Sequence, residues 1–346
     1  MENSKSISRR NFFGTAAITA GVTALGTEAV RGQVPAESER PQGRLPREVW
    51  IATVSQQGLS ANTPQQMAQT VLAIMEKSVA CRPDVICLPE VFMTNRVTQK
   101  LSVSERVDVS HELLKDFMAF AKTNQCYLIC PMLMRENGRI YNVAVVIDRQ
   151  GNRMGEYRKI HIPEEELEID ITPGPLQPPV FKTDFGVIGI QICFDCNWND
   201  GWESLRRQGT EMIFWSSAYS GGQVINTKAW QNKCVVVAST WEISKICDIA
   251  GETVARTGIW ERNWVCASVN LEKAFIPTWP NERLFDSMRA KYGRKIKIVT
   301  YHEEQWTIIE SLSHDLRVHD VLKEFNIRTV EQSLHDAEVT GNQRRI

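Results

Sequence analysis

The chain has almost no surplus of charge: 40 Lys and Arg stand against 41 Asp and Glu, a net of −1. Without a basic face, nothing favours nucleic acid or an anionic membrane surface as a partner. A cysteine framework is missing too. Nine cysteines, an odd number, are scattered over 346 residues. Several sit in apolar, strand-like runs (DVICLPE, YLICPM, WVCASV), where a reduced thiol behaves as a small hydrophobe. Free thiols are expected, not a disulfide scaffold. There are only six histidines and no second paired-cysteine motif, which argues against zinc. Internal repeats and low-complexity tracts are absent. The mildly apolar run from about Gly14 to Gly26 falls short of the roughly 20 residues that a membrane span needs.

That run follows Ser8-Arg9-Arg10-Asn11-Phe12. Paired arginines, an aromatic and then a short Ala/Thr/Gly-rich stretch make this segment similar to a twin-arginine export signal. Residues 1–29 are therefore read as a signal peptide. A periplasmic or extracellular destination is expected, with membrane tethering if the weak site Thr27-Glu28-Ala29 is not cleaved. Residues 30–46 carry Pro, Gly and charge without periodicity and read as a linker.

From residue 47 onward, strands and helices alternate. REVWIATVS reads as a strand. Thr63-Pro64 caps a helix to about Ala80. DVICLPE is a continuous apolar run, as a strand covered on both faces would be. Residues 105–123 carry Leu113, Leu114, Phe117 and Phe120 at helical spacing. Asn137-Gly138 marks a hairpin. Further strands follow around Gly186–Cys193, Met212–Ser217, Cys234–Thr240 and Trp264–Asn270, with helices expected over 199–208 and 228–231. The pattern predicts one α/β domain over 47–280, built on two mixed sheets. Residues 281–346, with helix candidates at 284–291 and 316–325 and the strand KIKIVTYH between them, form an extension that packs on this domain or on a partner subunit.

Three apolar segments each end in one reactive residue. VICLPE ends in Glu90, EYRK in Lys159 and GIQIC in Cys193. If their strands belong to facing sheets, carboxylate, ammonium and thiol converge at one mouth and suit acyl transfer. An ordinary thiol is only a few per cent ionised at neutral pH. Glu90 would take its proton, while Lys159 and the backbone N–H of Phe194 would hold the developing oxyanion. Taken singly, each residue has a bland reading: strand-end charge, solvated lysine, core cysteine. Their joint occurrence in these contexts favours function.

These residues give the chain its resemblance to the carbon–nitrogen hydrolase (nitrilase) superfamily. Leu88-Pro89-Glu90, Tyr157-Arg158-Lys159 with His161, and Cys193-Phe194-Asp195 match its motifs in order. Thr172-Pro173-Gly174, Phe185-Gly186 and Ala267-Ser268-Val269-Asn270 support them, over about residues 47–275. The resemblance implies a four-layer α-β-β-α sandwich, a Glu-Lys-Cys triad, no metal or cofactor, and pairing of subunits into a homodimer or larger homo-oligomer. It also implies a second glutamate near the nucleophile. Spacing favours Glu166, with Glu168 the alternative. Cys193-Phe194-Asp195 is more similar to amidases and carbamoyl-amide hydrolases than to nitrilases proper, which carry Cys-Trp-Glu. Asn199-Asp200 replaces the family's usual Pro-Glu.

A small amide or carbamoyl compound is the expected substrate. Trp198, Tyr219, Trp215, Phe92 and Asn95 are candidates to line its pocket. His161 could orient Lys159 or the acidic loop, but a histidine so placed is more often structural. Three alternatives remain: a nitrilase, a binding module on a hydrolase fold, and thiol–disulfide chemistry at Cys193-Phe194-Asp195-Cys196.

Overall fold

The computed structural model of the chain describes residues 43–260 and 263–345. The export signal expected over residues 1–29, and most of the linker expected after it, lie outside the described residues. Strands are β1 (Glu48–Val54), β2 (Val85–Cys87), β3 (Tyr127–Glu136), β4 (Arg139–Ile147), β5 (Arg153–Arg158), β6 (Phe181–Lys182), β7 (Val187–Ile192), β8 (Met212–Ser217), β9 (Val235–Thr240), β10 (Lys245–Cys247), β11 (Thr253–Arg256), β12 (Trp264–Asn270), β13 (Lys273–Pro277), β14 (Ile296–Tyr301) and β15 (Trp306–Ser311). Helices are α1 (Pro64–Ser78), α2 (Val103–Asn124), α3 (Glu164–Leu167), α4 (Asp200–Arg207), α5 (Gly222–Asn232), α6 (Phe285–Tyr292), α7 (Val318–Glu324) and α8 (Val330–Arg344).

Two six-stranded sheets form the body, ordered β12-β1-β2-β3-β4-β5 and β11-β10-β9-β8-β7-β6. Both are mixed. The strands β1, β2 and β3 run parallel, as do β7, β8 and β9, while the outer strands pair antiparallel. The period of two along each strand sorts its residues between layers. In β1, Val49 and Ile51 face the core between the sheets; Ala52 and Val54 face α1 and α2. Met67, Val71 and Met75 form the buried stripe of α1, and each such side chain contributes about 1.5–3 kcal/mol when fully buried. On the other side, Trp202 and Leu205 of α4 and Ile225 and Ala229 of α5 cover Ile213 and Val236. The result is the expected α-β-β-α sandwich.

Polar bonds tie the two sheets together where the parallel strands end. Thr53 Oγ1 donates to the Ala238 carbonyl at 2.8 Å, and Ser239 Oγ donates to the carbonyls of Val54 (2.6 Å) and Cys87 (3.0 Å). Ser216 Oγ donates to the Leu88 carbonyl at 2.8 Å. These buried bonds fix the C-terminal ends of β2 and β8 beside each other.

The helix expected at 228–231 begins earlier, at Gly222. Gly221 and Gly222 take left-handed backbone, so the pair reads as a turn while serving as a helix entry. The last segment holds the two helices and the KIKIVTYH strand expected, and adds β15 and α8. Strands β14 and β15 join β13 in a third sheet, with α6 and α7 over its own apolar cluster. Val330, the first residue of α8, reaches the core between the main sheets.

Candidate active site

Glu90 lies just beyond the short strand β2 and is 3% exposed. The chain turns sharply there: Val91 has φ +39°, a costly conformation for a β-branched residue. Side-chain donors hold the turn. Trp241 Nε1 donates to the Glu90 carbonyl at 2.8 Å, Asn95 Nδ2 to the same oxygen at 3.4 Å, and Gln56 Nε2 to the Phe92 carbonyl at 2.9 Å. The carboxylate is as firmly placed. Its Oε1 accepts from Lys159 Nζ (3.1 Å) and Asn142 Nδ2 (2.8 Å), and its Oε2 from the Ala218 N–H (3.0 Å).

Lys159 follows the end of β5 and is fully buried. Its carbonyl accepts from the Gly174 N–H at 2.8 Å. A Cβ at residue 174 would collide with the Arg158 carbonyl, so only glycine lets the Thr-Pro-Gly loop lie against this strand. The ammonium bridges two carboxylates, Glu90 and, at 2.5 Å, Glu166 of α3. Burial opposes its charge, but Glu90, Cys193 and Glu166 outweigh burial and raise its pKa above the ordinary lysine value. Of the two acidic candidates, Glu166 reaches Lys159, whereas Glu168 is the exposed C-cap of α3. Asn142 Nδ2 bonds both Glu90 and Glu166. Sequence reading missed Asn142, although a lone amide in the apolar run IYNVAVV was a signal.

Cys193 follows β7 and begins a tight turn over Cys193–Asn197, with φ +47°. Left-handed backbone at a cysteine is uncommon and marks a sharp elbow. Asp195, fully buried, closes the turn: its Oδ2 accepts from the Ile192 N–H (2.9 Å) and the Tyr157 hydroxyl (2.6 Å). Trp215 Nε1 donates to the Cys193 carbonyl at 3.0 Å. Burial pushes the Cys193 thiol up to about 12, and Glu90 adds to this; Lys159, Ser217 and the Ala218 backbone pull the other way. At neutral pH the thiol keeps its proton, so it needs a base to become a nucleophile.

The pocket candidates separate. Phe92 is fully buried against Phe117 in the core, with ring centroids 5.1 Å apart. Trp215 is also fully buried and serves the Cys193 carbonyl. Neither forms a pocket wall: Phe92 packs into the layer between the first sheet and α1–α2, and Trp215 into the layer between the second sheet and α4–α5. Asn95 tethers the Glu90 backbone. Trp198 and Tyr219 remain partly exposed beside the Cys193 turn, the latter with its hydroxyl 3.5 Å from the Cys193 carbonyl and 2.9 Å from Cys196 Sγ. His161 takes the structural role rather than orienting Lys159. Its ring and backbone bond Asp195, because the chain has left the strand at residue 158.

The Carbon-nitrogen hydrolase family model matches residues 51–274. Deaminated glutathione amidase of Dictyostelium discoideum is 25% identical over 204 residues, 52% of this chain and 70% of that protein. Beta-ureidopropionase of Arabidopsis thaliana is 27% identical over 203 residues, 53% of this chain and 49% of that protein. Across the relatives compared, the chain spans as little as 37% of the relative's length. The crystal structure of a carbon-nitrogen hydrolase from Helicobacter pylori G27 has the same fold, with a TM-score of 0.58 and 18% identity, covering 71% of this chain and 94% of that one. By a motif match over most of its length and by its fold, the chain belongs to the carbon–nitrogen hydrolase family.

Proposed function

We propose that the protein hydrolyses a linear amide-type C–N bond of a small molecule through a thioester on Cys193. The observation that carries this reading is a buried thiol on a left-handed elbow, within the electrostatic reach of both members of a buried Glu90–Lys159 pair. As the substrate carbonyl arrives, the thiol proton passes to Glu90 and sulfur attacks carbon. The Lys159 ammonium and the N–H of Phe194 stabilise the oxyanion. The tetrahedral species collapses, the C–N bond breaks, and Glu90 returns its proton to the leaving amine. Water, deprotonated by Glu90, then attacks the thioester and releases the acid. Glu166 holds Lys159 from its far side and keeps the ammonium charged between turnovers.

The Cys193-Phe194-Asp195 triplet and the relatives named as an amidase and a ureidopropionase support an amide or carbamoyl amine over a nitrile. Ammonia release across amides, carbamoyl amines and nitriles, compared with Cys193→Ala, tests the reading. Equal release by both proteins would reject it and favour a binding module. Turnover of nitriles alone would assign a nitrilase. Dependence on Cys196 would revive the disulfide alternative.

We further propose export by the twin-arginine route, on the strength of Ser8-Arg9-Arg10-Asn11-Phe12. Arg9→Lys with Arg10→Lys should leave the protein in the cytoplasm; unchanged secretion would refute that route. Assembly into a homodimer or larger homo-oligomer is proposed as well, and sedimentation of the purified protein checks it.

A further inference from the structure

The nine cysteines are not equivalent. Seven are buried; Cys81 and Cys266 are partly exposed. Cys81 ends the short turn Val79–Cys81 that follows α1. Cys266 lies on β12, the edge strand of the first sheet, on the face that packs towards α1. The two thiols are neighbours close enough for Cys81 to act directly on the Cys266 thiol. Both also line one surface cavity of about 680 Å³, whose wall includes Lys77, Arg256, Trp260 and Trp264.

From this pairing we infer a modification site: Cys81 and Cys266 form a reversible disulfide that staples the edge strand to the end of α1. The cavity admits an oxidant to the pair, and its two basic side chains suit an anionic disulfide. The co-reactant is a low-molecular-weight or protein disulfide. One thiol, as thiolate, attacks it, forming a mixed disulfide and releasing one reduced thiol. The second cysteine, as thiolate, then attacks its neighbour's own sulfur, the bond from that sulfur to the co-reactant breaks, and the other reduced thiol leaves. Two protons and two electrons pass from the cysteines to the co-reactant. Burial, and then Cys81 itself, push the Cys266 thiol upward, so uncatalysed exchange takes minutes to hours rather than seconds.

The bond would close a very long loop, which is where a cross-link restricts the unfolded chain most. It would also pin an edge strand that has a neighbour on one side only. Neither cysteine touches the Glu90–Lys159–Cys193 cluster, so the inference does not depend on the proposed reaction.

The test uses the full chain with oxidised glutathione as probe. Peptide mapping after alkylation is expected to show a Cys81–Cys266 cross-link. Tm should rise by roughly 5 °C, the rise being reversed by dithiothreitol and absent in Cys81→Ser and in Cys266→Ser. Glutathione adducts on either thiol without a cross-link would overturn the proposal. So would complete alkylation of both thiols, or an equal Tm rise in the serine variants.

Discussion

The imidazole of His161 lies flat on the indole of Trp198, with ring centroids 4.2 Å apart and planes within 3°. Behind that stack, Nδ1 is 3.0 Å from Asp195 Oδ1 and Nε2 is 3.4 Å from Asp200 Oδ2. The histidine thus joins the segment after Lys159 to the turn that presents Cys193. It acts on the site through Asp195, as a positioning residue.

Its bond to Asp195 raises the His161 pKa above the usual 6.5, burial notwithstanding. A raised folded-state pKa means that the charged form stabilises the fold. That contribution is complete below about 6.5 and fades as pH climbs through the raised value. The Tm of the wild type should therefore fall relative to His161→Gln as pH rises through that window. Parallel Tm–pH curves for the two proteins would show that the contact contributes nothing.

The buried ion pair gives a prediction in which activity and stability part company. Glu90→Gln keeps the shape and leaves Lys159 its bond to Glu166. Fold and Tm should change little, while kcat/KM drops roughly 10²–10⁴-fold for want of a base. Lys159→Met instead strands the 3%-exposed Glu90 beside a second carboxylate. Breaking a buried pair in this way costs about 3–5 kcal/mol, measurable by denaturant titration.

Much of this site was legible because strand-end residues announce themselves. Glu90 and Cys193 each close an apolar run and Lys159 closes a polar strand, and two facing sheets bring such ends together. The partners that hold them were harder to read. Trp215 and Phe92 are aromatic near the right motifs, yet Trp215 faces the α4–α5 layer and Phe92 packs against α2, and no local pattern says which aromatic meets the substrate. Asn142 is far from the motifs and works only through the β4–β5 pairing that sets it beside Lys159. The tail hid α8 because only its first residue, Val330, is buried, too little for an apolar stripe.

Asn142 gives its amide nitrogen to two carboxylates, Glu90 at 2.8 Å and Glu166 at 3.2 Å. Asn142→Asp would replace that donor with a third acid around one ammonium. One of the three must then hold a proton. The pH–rate profile should shift to higher pH, and kcat should fall with KM nearly unchanged. Asn142→Ala should lose less activity and keep the profile. The same profile in both variants would reduce Asn142 to packing.

Trp215 offers a test of the elbow itself. Its Nε1–H satisfies the Cys193 carbonyl in a fully buried position. Trp215→Phe removes the donor and keeps most of the ring, leaving a buried carbonyl with only the long 3.5 Å contact to the Tyr219 hydroxyl. An unsatisfied buried acceptor costs about 1–3 kcal/mol. The chain can recover part of this by letting Cys193 relax from its left-handed backbone, which swings the sulfur away from Glu90. Loss of kcat should therefore exceed what the stability change alone explains at a temperature where the variant is fully folded. Rapid labelling of Cys193 by an amide-like electrophile should slow in parallel, while a general thiol reagent reaches the sulfur faster as the turn loosens. If both reagents slow equally, the elbow has stayed in place, and the indole serves packing rather than the aim of the nucleophile.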